Sequence, residues 1–243
     1  QDMTMAPAAM FGRDNRAGVP GSLHRISAIK GRQDCVVGLT YRVGRHLGGL
    51  ASAFYDVLAA LKPPQSSHNK TLTLADFMNK KGVDRHADEE EITSPSLLIL
   101  GRPGVGKTTL LRDVAGSLAD TFNIGNKVII VDTSNEIAGD DYVPHSCIGS
   151  ARRMMVEDKF HQHDVLVEAV QNHTPEVLIV DEICTHREVS AVKSIAQRGI
   201  ALIGTAHGTC LKSLVKNPEL NDLVGGVHQV TVCHQMAKIC TIT

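Results

Sequence analysis

The chain has 243 residues and a formal charge of −1, with 42% hydrophobic residues but no Trp, five Phe and three Tyr. A near-neutral balance leaves no global basic field to hold nucleic acid or an anionic membrane. Scarce aromatics argue against a base-stacking platform for single strands, and the aliphatic content suits a buried parallel sheet under helices. The length allows one sizeable core with a small appendage. Charge is uneven, however, because residues 1–62 hold eight Lys/Arg against four acids, a local +4. Charges of this kind most often face water, and contact with nucleic acid is the lesser reading of them. Six cysteines, at 35, 147, 184, 210, 233 and 240, contain no C-x-x-C pair. That suits reduced thiols in an intracellular protein. No apolar run approaches the roughly 20 residues that span a bilayer. The first residue is Gln, which marks a fragment or processed form and is compatible with a lost transit peptide.

In chain order, residues 1–21 read as an irregular lead-in. LHRISAI and CVVGLTYRV flank the turn-forming KGRQD, a β-hairpin pattern. HLGGLASAFYDVLAALK has helical spacing at Leu47, Leu50, Phe54, Leu58 and Leu61 and stops before Pro63 and Pro64. Residues 63–95 change character, with the linker PPQSSHNK, a short helical pattern and the acidic run ADEEE. Three regions follow from this: 1–62 as a hairpin and helix region, 63–95 as a linker or insertion, and 96–243 as the core. From Ser96 the pattern alternates strand and helix. SLLIL is a buried strand, a helix is expected from Lys107 to about Asp120, and KVIIVD is the next strand. A polar loop runs to about Gly149, with helices expected near 149–157 and 162–172. EVLIVD, the helix REVSAVKSIAQRG and the strand IALIGTA follow, and GVHQVTVC near the end is one more strand. Short apolar runs alternating with helices define an α/β fold with a parallel sheet covered on both faces.

GRPGVGKT, residues 101–108, fits G-x-x-x-x-G-K-[ST] without mismatch and stands between a buried strand and a helix. The glycines Gly101, Gly104 and Gly106 let the backbone curl, with Arg102, Pro103 and Val105 between them. Inward N–H groups and the helix N-terminus then cradle phosphates. Lys107 is placed to reach the β- and γ-phosphates and Thr108 to offer its hydroxyl to Mg²⁺, with Thr109 the last residue of the cofactor-binding segment. Asp181 ends VLIVD and is followed by Glu182. A strand-terminal Asp opposite the P-loop Thr supports Mg²⁺, and an adjacent Glu polarises the attacking water.

Asp132 and Glu136 leave two readings open. If their strand lies beside the P-loop strand, DTSNE reaches the phosphate mouth and a carboxylate there orients water or signals to a neighbouring subunit. Alternatively, Asp132, Thr133, Ser134 and Asn135 form a hydrogen-bonded turn. IGTAHG puts Thr205 and His207 at the end of the next strand, a polar tip suited to sensing the γ-phosphate. His161 and His163 in KFHQHD lack a second pair at ligand spacing and read as a polar loop or helix start.

GRPGVGKTTLLRD, VDTSNEIAGD, ARRM, QNHTPEVLIVDEI, GTAHG and NPELNDLVGG resemble the plastid-encoded ycf-type P-loop ATPases of algae and their cyanobacterial and plant relatives. These are akin to the stage III sporulation protein AA group, and the resemblance covers about 97–232. The wider kinship is with AAA+/RecA-like motor ATPases, including the secretion and pilus ATPases, which are typically hexamers with nucleotide between subunits. The resemblance implies a RecA-like/AAA+ core and places Glu136 in the acidic box that holds a catalytic Glu. It matches Thr205-Ala206-His207 to a T-x-H signature. It also nominates Arg42, Arg45, Arg152 and Arg153 as arginines that reach the γ-phosphate across an interface. The chain departs from the pattern at the insertion 63–95, at Cys184 where relatives carry Gly, and at Ser150 where Arg is expected. Some relatives carry a single-strand-binding module marked by paired Arg and His after the core, and no such pattern is recognisable up to Thr243.

The reading is a Mg²⁺-dependent ATPase, an oligomeric motor or remodelling factor that hydrolyses ATP, with a homo-hexamer plausible and a plastid setting implied by the resemblance, or cytoplasm if bacterial. Lys107 and Thr108 bind phosphate and metal, Asp181 supports the metal, Glu182 and Glu136 share the water-orienting role, and His207 senses the γ-phosphate. A slow nucleotide-gated switch and a nucleic-acid-dependent ATPase are the alternatives. GTP is disfavoured because no N-K-x-D segment appears.

Overall fold

A computed structural model describes residues 11–12, 14–61 and 95–224, together with the backbone of 227–228 and 241–242. The linker expected over 63–95 therefore lies, save Pro95, outside the described residues. So does most of the strand expected at GVHQVTVC, of which Val227–His228 pairs antiparallel with Thr241–Ile242.

The amino-terminal part is a three-stranded antiparallel sheet of β1 (Arg16–Gly18), β2 (Arg25–Lys30) and β3 (Val36–Arg42), in that order. The expected hairpin joins β2 to β3, closed by the Gly31 amide on the Cys35 carbonyl at 2.8 Å. Its register sets Arg25 opposite Arg42. Cross-strand partners leave the sheet on one face, so two guanidinium groups share a side and repel unless an anion stands between them. The expected helix after the hairpin opens as a 3-10 turn, Leu50–Phe54, and continues as α1 (Tyr55–Ala60), burying Leu58 and Leu61.

The core is a parallel sheet of β4 (Leu97–Gly101), β5 (Val128–Asp132), β6 (Arg152–Met155), β7 (Val177–Val180) and β8 (Ala201–His207), in the order β4-β8-β7-β5-β6. Period-two alternation sends Val128, Ile130, Ile179 and Ile203 to one face and Ile129, Val131, Leu178 and Leu202 to the other. The first face is covered by α1 and α2 (Lys107–Gly116) through Leu58, Leu111 and Val114. The second is covered by α3 (Gln162–His173) and α4 (His186–Ala196) through Leu166, Ala169, Val189 and Val192. Both faces are dry, which is why these strands read as continuous apolar runs. A short α5 (Leu211–Val215) follows β8.

The structure departs from two expectations and closes one reading that the sequence leaves open. The helix expected near 149–157 is instead the edge strand β6, paired from Ile129↔Arg152 to Asp132↔Met155. Ala, Arg and Met favour helix intrinsically, but ladder bonds to β5 and two anchored arginines win. Arg152 donates to the carbonyls of Asn126 (2.6 Å) and His173 (2.9 Å), and Arg153 donates to those of Gly139 and Asp141. The helix from Lys107 is α-helical only to Gly116 and ends in a wider π turn, Ser117–Thr121. And β5 does not lie beside the P-loop strand: β8 and β7 stand between them.

Candidate nucleotide-binding site

The site gathers where β4, β8 and β7 end. Gly104 and Gly106 sit at φ of +77° and +100°, a region L side chains rarely adopt, with open space around both. Backbone conformation, not crowding, demands glycine there. The loop from Arg102 to Gly106 is exposed, and Lys107, Thr108 and Thr109 behind it are half-buried. Lys107 Nζ folds over the loop and donates to the carbonyls of Gly101 (2.9 Å) and Arg102 (3.1 Å), with His207 Nδ1 at 3.3 Å. Burial holds the Lys107 ammonium below its ordinary pKa, while Asp181 and Glu182 pull it back up.

Asp181 is tied on both oxygens. Thr108 Oγ1 donates to its Oδ2 at 3.3 Å and Thr205 Oγ1 to its Oδ1 at 2.8 Å. Burial raises its pKa, and the nearby carboxylates of Glu136 and Glu182 add to that. A hydroxyl and a carboxylate facing each other beside the phosphate loop are a hard-oxygen donor pair. Mg²⁺ is held in this way, by one or two protein oxygens plus phosphates and water, so the donor chemistry of Thr108 and Asp181 fits it. Among the described residues no three His, Cys, Asp or Glu side chains converge as a self-sufficient metal cage.

Glu182 stands at φ +59°, an uncommon conformation for a residue with a Cβ. Its amide donates to Thr205 Oγ1 at 2.8 Å, and the Ile183 amide donates to the Thr205 carbonyl at 2.8 Å. Thr205 is fully buried, and its hydroxyl is shared by the Glu182 amide and Asp181, so it aligns the two acids. The Glu182 carboxylate meets His207 Nε2 at Oε1 and Lys159 Nζ at Oε2, each at 3.1 Å. Burial pushes its pKa up, but Lys159 and His207 outweigh that and hold it below the usual value. Cys184, just beyond, has a half-buried thiol pushed up to about 11, so it stays protonated at neutral pH.

Asp132 and Glu136 divide their labour. The Asp132 carboxylate is fully buried and accepts the amides of Glu136 (3.0 Å), Ile137 (3.0 Å) and Ala138 (2.9 Å). It organises the loop, with Asn135 at φ +52° inside the turn. Glu136 Oε1 is the anion between the two hairpin arginines, accepting from Arg25 Nη1 at 2.5 Å and Arg42 Nη1 at 2.6 Å. The neighbouring Asp140 and Asp141 accept the Gly18 amide (2.7 Å) and the Gly21 amide (3.1 Å), so the whole acidic loop grips the amino-terminal sheet. Of the four nominated arginines, Arg42 is engaged by Glu136 while Arg152 and Arg153 are spent on carbonyls of their own chain. Arg45 enters through its backbone, as the next contact shows.

Sequence reasoning missed Arg112. This buried guanidinium on α2 donates to the carbonyls of Ile137 (2.7 Å), Arg45 (2.5 Å) and Glu136. It joins the P-loop helix to the acidic loop and to the segment after the hairpin. A single Arg between Leu111 and Asp113 carries no local signal of this. Gln162 was missed as well; fully buried, it donates Nε2 to the Asp181 carbonyl at 3.1 Å.

A parallel sheet with the phosphate-loop strand next to the T-x-H strand, and the acid-ended strand beyond it, defines a RecA-like P-loop ATPase fold. The pilus retraction motor PilT, solved with bound ADP, shares it at a TM-score of 0.53 and 16% identity, over 82% of this chain and 48% of that one. The chain belongs to the family described as Sporulation stage III, protein AA, whose model matches residues 80–236. It is 43% identical to the ycf45 protein of Porphyra purpurea, over 98% of this chain and 36% of that protein. To the protein SEEDLING PLASTID DEVELOPMENT 1 of Arabidopsis thaliana it is also 43% identical, over 98% of this chain and 30% of that protein. The chain thus spans about a third of the length of these two relatives. No helix among the described residues is long and apolar enough to cross a membrane.

Proposed function

We propose that the chain binds Mg·ATP and hydrolyses it, as one member of an oligomeric, ring-forming motor or remodelling factor working in a plastid. The observation that carries the reading is the convergence of Lys107, Thr108, Asp181, Glu182 and His207 on one mouth at the sheet's carboxyl edge. In α/β sheets that edge is where ligands bind. Loop amides from 101–108 cradle the phosphates, and Lys107 leaves the Gly101 and Arg102 carbonyls to neutralise their charge. Thr108 and Asp181 would hold Mg²⁺, which would supply charge neutralisation for the bound phosphates. Glu182, ionised at neutral pH, orients the attacking water, and His207, between Glu182 and Lys107, reports the γ-phosphate. Glu136, whose charge is felt at Asp181 and whose carboxylate holds Arg25 and Arg42, links the mouth to the amino-terminal sheet. The plastid setting rests on the relatives' names, and the ring on kinship with motor ATPases of the same fold.

ATP turnover of the wild type against Lys107→Ala, with and without single-stranded DNA or RNA, tests the reading. Loss of turnover in Lys107→Ala is expected; tight binding with negligible turnover in the wild type sinks the enzyme, and stimulation by nucleic acid moves the assignment to a nucleic-acid-dependent ATPase. Glu182→Gln is expected to lose about 100-fold in kcat and Glu136→Gln about tenfold or less. The reverse ranking returns the base to Glu136. The slow-switch reading draws on the clasp of Glu136 by Arg25 and Arg42. Under it, Arg25→Ala/Arg42→Ala raises turnover above wild type; under the motor reading turnover falls.

A further inference from the structure

We propose that Lys159 is a positioning residue for Glu182, fixing the plane of its carboxylate from the side opposite His207; the inference rests on the ATPase reading above. A Glu side chain leaves the backbone with three rotatable bonds, so orienting a water demands more than proximity. At this site the backbone end is set by the φ of +59° and by the amide bond to Thr205. The carboxylate end is held at both oxygens by different partners, His207 on Oε1 and Lys159 on Oε2, each at 3.1 Å. With one partner alone the group is free to turn about its last bond. With two it presents one orientation.

The segment that carries Lys159 is itself registered on the two acids. Asp158 caps the short 3-10 turn Lys159–His161, accepting the Phe160 amide at 3.0 Å, while its carbonyl accepts the His161 amide at 2.8 Å. Directly after the turn, Gln162 donates to the Asp181 carbonyl at 3.1 Å. Two residues three positions apart thus grip the end of β7, one by the Asp181 main chain and one by the Glu182 side chain. Stability does not account for the second grip. Lys159 and Glu182 are 50% and 30% exposed, and pairs so open to water add little to folding. The grip acts instead on orientation, where small misplacements of a catalytic group are costly in rate.

The test is steady-state ATP turnover, together with the Kd of a fluorescent ATP analogue, for Lys159→Met and Lys159→Arg. Single-turnover rates are added in the Glu182→Gln background. Lys159→Met is expected to lower kcat about tenfold while KM and Kd stay within about twofold, and Lys159→Arg to restore kcat to within about threefold. In Glu182→Gln, Lys159→Met is expected to change nothing further, because the group it positions is no longer a carboxylate. An unchanged kcat in Lys159→Met, an equal loss in both backgrounds, or a loss confined to KM overturns the inference alone. If the wild type shows no Lys107-dependent turnover, the ATPase reading falls and takes the inference with it.

Discussion

Thr205 Oγ1 donates to Asp181 Oδ1 at 2.8 Å while accepting the Glu182 amide at 2.8 Å, so one buried hydroxyl aligns both acids. Thr205→Val keeps the shape and deletes both bonds. It is expected to cost about 2 kcal/mol in unfolding free energy, the range for stranding buried partners. Mg·ATP affinity is expected to fall roughly tenfold as Asp181 loses its orientation, the size of effect seen when a metal ligand loses its supporting hydrogen bond. Thr205→Ser keeps the hydroxyl and is expected to retain most of the affinity. Thermal shifts with and without Mg·ATP read both quantities, and equal affinity in Val and wild type refutes the assignment.

Arg112 supports the other end of the site. Burial lowers its pKa while the surrounding anionic groups raise it, and its fork spans three carbonyls from two segments. Arg112→Met leaves those acceptors without a donor and is expected to cost about 3 kcal/mol or more. Lys at 112 is expected to recover only a minor part, because a point ammonium lacks the planar fork. Urea unfolding of the two variants checks the order. A wild-type-like Lys variant contradicts the bonding geometry.

Asp132 predicts a pH dependence. Burial pushes its carboxyl up to about 7, against the pull of three backbone amides. Unfolded, the group titrates near pH 4. The native state therefore holds the proton where the unfolded chain has released it. Stability from this group is fully present below pH 4 and is lost as the pH rises to 7, by up to about 1.4 kcal/mol per pH unit. Asp132→Asn does not titrate. The wild type is expected to lose stability relative to Asp132→Asn between pH 5 and 7, by denaturant unfolding at each pH. A constant difference across that window counts against the shift.

Gly116 closes α2, and a Cβ there meets the Cys147 carbonyl oxygen at 2.6 Å. Gly to Ala in a helix ordinarily stabilises by roughly 0.5–1 kcal/mol. Here the obstacle is backbone of the turn that leads into β6, which has little freedom to move. Gly116→Ala is accordingly expected to lower the melting temperature despite the better helix former. A rise would mean that the π turn yields.

The glycine-rich loop between β4 and α2 was legible in the sequence because its geometry is local: the glycines, Lys107 and Thr108 lie within eight residues, and backbone curl and helix start dictate the types. Buried strands were legible for a similar reason, since a sheet covered on both faces needs unbroken runs such as VIIV and VLIV. The segment holding Arg152 and Arg153 was misread because helix propensity describes an isolated chain, whereas its partners are a strand and carbonyls contributed by Asn126, Gly139 and His173. The turn reading of Asp132 and the partnership of Glu136 stayed open for want of the same information. One carboxylate bonds amides four to six residues on, the other arginines about a hundred residues back.

What residue pattern decided was therefore the inventory: a parallel α/β sheet, a glycine-rich strand-to-helix loop, two acids at the end of one strand and a Thr-x-His tip on another. Hydrophobic periodicity and loop stereochemistry act over a few residues, so a linear reading captures them. Only the folded chain decided the pairings. It inserted β8 and β7 between the P-loop strand and Asp132, spent Thr205 on aligning Asp181 and Glu182, and placed Lys159 against Glu182. It also put Glu136 between two arginines that their own register brought together. Those assignments depend on strand order and on electrostatic contacts between residues far apart in sequence, and neither exists until the sheet has closed its core.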